Sequence, residues 1–155
     1  LPLTPGVAMA DPVSPGAVLF GVSVCVFRAD TVLMIVRGKP PGLGRWAPVG
    51  GGIEPGETAE VAAVREVGEE TAVEIDLVGR VGTREIVPGE GSGSPYARIS
   101  LEVFAARWRA GEPQAGSDAA DARFVALDAL AALDLMPGVE PWIHAARRLH
   151  DGQTP

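Results

Sequence analysis

The chain contains one cysteine, Cys25, so no disulfide can form within it and a reducing compartment suits it. It has two histidines, His144 and His150, both late in the chain, and no His/Cys cluster of the kind zinc requires. Both are expected to face solvent, and Cys25 is expected to act as a small buried hydrophobe. No apolar run approaches the roughly 18 residues of a membrane span. No basic stretch followed by an apolar core opens the chain, so no signal peptide is expected and the protein is placed in the cytoplasm. Positive charge is also scarce: 13 Lys and Arg against 20 Asp and Glu leave a net charge of -7. That balance argues against a nucleic acid polymer as partner, since duplex binding needs a basic face. A small phosphorylated ligand that brings divalent cations remains compatible.

At 155 residues, with 46% hydrophobic and 21% charged, the chain reads as one globular domain. Residues 1–15 carry four prolines and no periodicity, which predicts a flexible arm before a domain over 16–150 and a short tail at 151–155. Ala17 to Arg28 and Thr31 to Arg37 read as two β-strands of a hairpin buried on both faces. Residues 38–45 form a loop that leads to Trp46 and a glycine turn, Gly50 to Gly52. A helix is expected from about Thr58, its cap, to Thr71. A strand follows over 73–87, where Gly79 and Gly82 permit a bulge. Pro88 to Pro95 is a loop, Tyr96 to Trp108 a long strand, and Ala110 to Ala120 a second loop. Arg123 to Ala126 is a short strand, Asp128 caps a short helix over 129–133, and Val139 to His150 is the last helix. This order is mixed α/β and not a repeating βαβ pattern.

The chemistry concentrates after the glycine turn. At about 100° per residue, Val61, Val64, Val67 and Gly68 fall on one side of the helix and Glu66, Glu69 and Glu70 on the other. Like charges at that spacing cost roughly 0.2–0.5 kcal/mol per pair on an isolated helix, which makes sense if a cation sits among them. Glu57 adds a fourth carboxylate. Hard oxygen donors of this kind suit Mg²⁺ or Mn²⁺, which complete their shells with water and phosphate oxygens. The residues alone point to metal-assisted hydrolysis of a phosphate compound.

The spacing is more specific. Gly51, five residues, Glu57, seven residues, then Arg65-Glu66-Val67-Gly68-Glu69-Glu70-Thr71-Ala72-Val73 resembles the Nudix box. Every charged position of that motif is matched. Ala72 stands where the family has glycine; if that position is left-handed, alanine costs roughly 1 kcal/mol there. The lead-in from Trp46 to Gly51 is also similar, with Val49 replacing the proline before the two glycines.

The resemblance implies a Nudix hydrolase: an α/β fold, an α/β/α sandwich with a central mixed β-sheet, cutting a phosphoanhydride in a nucleoside diphosphate linked to another moiety. It implies Glu66 and Glu70 as metal ligands, Glu69 as ligand or water orienter, and the Gly50 carbonyl in the metal shell. Arg65, paired with Glu57, orients the glutamates. Outside the box, residues 37–46 and 116–130 resemble the ADP-ribose pyrophosphatase-like subgroup. Arg37 and Lys39 are then candidates for substrate phosphate, and Asp118 for the general base, with Glu85, Glu90 and Glu102 as competitors. The resemblance makes ADP-ribose, split to AMP and ribose 5-phosphate, the first expected substrate. A nucleoside triphosphate pyrophosphatase and a non-catalytic nucleotide sensor are the alternatives. A homodimer is compatible with the family. Phe20, Trp46, Tyr96 and Trp108 are available to stack a base, although aromatic residues in strands usually serve the core.

Overall fold

The computed structural model describes residues 17–40, 42–87, 96 and 98–152. The expected N-terminal arm, the loop at 88–95 and the end of the tail lie outside the described residues.

Seven strands form one mixed sheet: β1 (Val18–Arg28), β2 (Thr31–Arg37), β3 (Trp46–Ala47), β4 (Val49–Gly52), β5 (Glu74–Ile86), β6 (Arg98–Ala110) and β7 (Ala119–Ala126). Strand β1 is its axis. It turns into β2 through Ala29 and Asp30, pairs antiparallel with β4 from Gly21 to Val24, and runs parallel to β6 along most of its length. β5 pairs antiparallel with β6, with register shifts at Leu77/Gly79 and Arg80/Gly82 where the two glycines predicted a bulge. β7 pairs with β2, so the chain's last strand returns beside its second.

A helix lies on each face. α1 (Ala59–Thr71) brings Ala62, Ala63 and Val67 onto Val22, Val24 and Val26 of β1. α2 (Val139–Gly152) brings Ile143 and Ala146 onto Cys25, Phe27 and Ala105 on the opposite face. The alternation of β1 therefore serves both layers: its even-numbered valines face α1 and its odd-numbered Cys25 and Phe27 face α2. The result is the expected α/β/α sandwich. α2 comes close to β5 because Gly79 and Gly82 leave room; a Cβ there would meet Leu149 and Trp142 at 3.3 Å. Among the described residues no helix is long and apolar enough to cross a membrane.

Several local expectations change. The valine side of α1 is inner only in part: Val67 is buried, but Val61 and Val64 are 54% and 46% exposed. The helix packs through Ala62, Ala63 and Val67, and of its glutamates Glu70 is buried, Glu66 half-buried and Glu69 exposed. β7 starts at Ala119, earlier than expected, because β2 offers partners as far as Arg37. Leu127–Ala132 is a 3-10 turn with no side-chain cap; Asp128 sits inside it, and buried Leu130 anchors it. β6 runs from Arg98 to Ala110, and α2 continues through Asp151 and Gly152, with Asp151 paired to Arg147 at 3.1 Å. His150 does not face solvent freely: its side chain is 12% exposed and its ring lies 5.2 Å from that of Phe27.

Candidate active site

α1 begins as predicted, with Thr58 Oγ1 accepting from the Val61 amide at 3.1 Å. It ends at Ala72, which adopts φ 62°, ψ 18° and donates its amide to Gly68 O at 3.0 Å. The position that departs from the motif is thus left-handed, the conformation glycine tolerates best.

Between these ends, Arg65 gathers the carboxylates. Its Nε and Nη2 grip Glu57 Oε2 and Oε1 at 2.6 and 2.9 Å, a two-pronged pair. Nη2 also donates to Gly52 O at 2.9 Å, tying the helix to β4. Nη1 reaches Glu69 Oε1 at 3.0 Å and Glu66 Oε2 at 3.2 Å. Glu54, which sequence reasoning passed over, lies 3.7 Å from the same nitrogen. The pairing expected between Arg65 and Glu57 is present, and Glu57 Oε1 further accepts from the Glu54 amide at 2.9 Å. Hydrogen bonding to Arg65 holds the Glu57 carboxyl below its usual range, and Glu57 in turn raises Arg65, so both stay charged.

Glu66 lies under the glycine turn. A Cβ on Gly51 would collide with the Glu66 carboxylate, and one on Gly50 would meet Val22 O at 2.6 Å. Gly51 therefore brings bare backbone against the carboxylate, and Gly50 lets β4 lie close to β1. Burial pushes the Glu66 carboxyl up to about 7, opposed by Arg65 and assisted by the neighbouring Glu69 and Glu70. Glu70 is buried as well, at 7% exposure, and its Oε2 has no hydrogen-bond partner among the described residues. Its carboxyl is also raised, first by burial and then by the charge of Asp118, while a backbone hydrogen bond from Asp118 lowers it.

Asp118 stands at the entrance to β7 and meets the helix at Glu70. Its Oδ1 pairs with Lys39 Nζ at 2.7 Å, and its carbonyl accepts from the Gly38 amide at 3.1 Å. The loops after β2 and before β7 are thus brought together beside the glutamates. Lys39 is engaged by Asp118. Arg37 is desolvated, which lowers its basicity, and is opposed in this by the Asp118 charge. Of the competing bases, Glu85 is held by Arg98 and Ser100, and Glu102 by Arg80 and Thr83, all on β5 and β6; Glu90 lies outside the described residues. Trp108 carries the Arg28 guanidinium 3.9 Å above its ring, and Trp46 faces Arg123 at 5.4 Å. Phe20 is 62% exposed.

The donor set fits a hard divalent cation. Glu66, Glu69 and Glu70 present only oxygen, and the partnerless Oε2 of Glu70 leaves a buried acceptor that a cation would satisfy. Among the described residues no three acidic, His or Cys side chains are grouped so as to hold a cation by themselves.

Residues 19–146 match the NUDIX domain. The chain is 31% identical over 119 residues to the oxidized purine nucleoside triphosphate hydrolase of Mus musculus, covering 77% of this chain and 73% of the relative. It is 36% identical over 103 residues to the ADP-ribose pyrophosphatase of Methanocaldococcus jannaschii, covering 66% of this chain and 59% of that one. Its fold matches the crystal structure of a NUDIX hydrolase from Nitrosomonas europaea with a TM-score of 0.70 at 20% identity, covering 87% of this chain and 73% of the other.

Proposed function

This chain belongs to the NUDIX family and is a pyrophosphohydrolase, and from that premise we propose how its residues work and what they cut. The observation that carries the reading is the glutamate cluster, in which Arg65 links Glu57, Glu66 and Glu69 while a Glu70 oxygen stays buried without a partner among the described residues. Members of the family use divalent metal ions. Here the ion is Mg²⁺, with Mn²⁺ as a substitute, held by Glu66 and Glu70 with Glu69 and the Gly50 carbonyl. When bound, it neutralises phosphate charge and makes water more acidic.

Arg65 and Glu57 keep the helix carboxylates in register by acting on their backs. Asp118, with Oδ1 held by Lys39, offers Oδ2 to take a proton from the attacking water. The water oxygen bonds to phosphorus as the bridging P–O bond breaks, and the charge passes to the leaving phosphate. Arg37, and Lys39 once it releases Asp118, neutralise the remaining phosphates.

For the substrate, the nucleoside triphosphate reading moves ahead of ADP-ribose. The mouse relative is matched over 73% of its length, whereas the ADP-ribose pyrophosphatase is matched over 59%. A purine nucleoside triphosphate, split to monophosphate and pyrophosphate, is therefore the first choice. ADP-ribose is kept as the second reading on the 36% identity of its relative. Product analysis with Mg²⁺ across ATP, dGTP, 8-oxo-dGTP and ADP-ribose separates them. Pyrophosphate from the triphosphates with little turnover of ADP-ribose supports the first reading; AMP and ribose 5-phosphate as the dominant products reverse the order. Turnover of none would sink both.

A further inference from the structure

The loop before β7 does more than carry Asp118. From Gly111 to Asp118 it lies as a strap across the C-terminal turn of α1. The last carbonyls of any helix lack partners within it. Here the Gln114 amide donates to Thr71 O at 2.8 Å and the Gly116 amide to Glu70 O at 2.8 Å. Trp108 Nε1 fastens the start of the strap by donating to Gly111 O at 2.8 Å. The contact is backbone against backbone. A Cβ on Gly116 would meet Glu69 O at 2.5 Å, Glu70 Cα at 2.9 Å and Glu70 O at 3.2 Å. None of these atoms ends a flexible side chain, so a methyl group there must lift the strap from the helix.

The strap joins two reacting groups. It holds the main chain of Glu70 through Gly116, and two residues later it carries Asp118, whose charge is near enough to raise the Glu70 carboxyl. Its far end is held by Lys39 and the Gly38 amide from the loop after β2. We propose that Gly116 is a positioning residue for the reaction: its missing side chain lets the strap rest on α1 and so sets the placement of the Glu70 carboxylate relative to Asp118. This rests on the reading of Glu70 as a metal ligand.

The test compares the wild type with Gly116→Ala, Gln114→Pro, Glu70→Gln and Leu130→Ala. Gln114→Pro removes one strap hydrogen bond without touching Gly116. Leu130→Ala weakens the opposite layer and controls for lost stability. Mn²⁺ binding without substrate is measured by water-proton relaxation, with kcat, KM and Tm alongside. Gly116→Ala and Gln114→Pro should each weaken Mn²⁺ binding and lower kcat by about 10–100-fold with a much smaller change in KM, as loss of support behind a ligand does. Leu130→Ala should lower Tm and leave Mn²⁺ binding near that of the wild type. If Glu70→Gln weakens Mn²⁺ binding while both strap variants bind it normally, Gly116 has no positioning role. The same holds if Leu130→Ala weakens binding as much as they do. If Glu70→Gln itself binds normally, the ligand reading has failed instead. Should Gly116→Ala not fold, Gln114→Pro decides by the same measurements.

Discussion

Replacing Glu66 with glutamine should stabilise the metal-free protein while abolishing its activity. In the fold the Glu66 carboxyl is pushed up from 4.5 to about 7, with burial as the main cause. Its side chain is 13% exposed, so solvent screens it little. The folded state therefore holds the Glu66 proton more tightly than the unfolded chain. Below the unfolded value both states carry the proton and the site costs nothing. As pH rises toward about 7 the unfolded chain gains by ionising first, and the loss of stability is complete above that. At about 1.4 kcal/mol per pH unit the rise from 4.5 to about 7 bounds the full loss at between about 3 and 4 kcal/mol. Glutamine stays neutral, so Glu66→Gln should be more stable than wild type by about 2–3 kcal/mol near pH 8, falling below about 1 kcal/mol near pH 5. In a chain of 155 residues each kcal/mol moves Tm by about 2–4 °C. Urea denaturation in EDTA at the two pH values measures the difference, and adding Mg²⁺ should stabilise the wild type more than the variant. A Glu66→Gln protein less stable than wild type near pH 8, or a gap equal at both pH values, would refute the reasoning.

Three further outcomes follow from the same geometry. Arg65→Lys keeps the charge but loses the paired grip on Glu57 and the link to Gly52 O, so kcat should drop by about 10–100-fold in steady-state assays; a near-normal rate would show that a point charge is enough. Ala72→Gly should raise stability by about 0.5–1 kcal/mol, because relief of a left-handed alanine outweighs the added freedom of the unfolded chain; chemical denaturation reads this, and a loss of stability would contradict it. Asp118→Asn should lower kcat with a much smaller effect on Mn²⁺ binding, since Asp118 is read as the base and not as a metal ligand; an unchanged rate would move the base role elsewhere.

Much of the site was legible because it is contiguous. Thr58, Glu57, Arg65 and the glutamates lie within one turn and one helix, where helical periodicity and capping determine which groups meet. The left-handed Ala72 was legible for the same reason, as a helix ends where its motif calls for glycine. The orientation of α1 was not. Its valines suggested an apolar inner side, yet only Val67 is buried while Val61 and Val64 are exposed, because Ala62 and Ala63 share the face that meets the sheet. Asp128 read as a cap by residue type, yet the turn starts one residue earlier, at Leu127, whose amide donates to Asp30 O at 3.0 Å.

By itself, the sequence determined the reaction class and the acidic cluster, since both depend on spacing within 23 consecutive residues, Gly51 to Val73. Only the tertiary structure decided that Asp118 and Lys39 meet, that the strap caps α1, and that Glu70 is buried and Glu66 half-buried. These contacts arise because β7 pairs with β2 and α1 packs against β1. Contacts between residues so far apart in the chain are selected by the packing of the whole sheet, and no local pattern of residues encodes them.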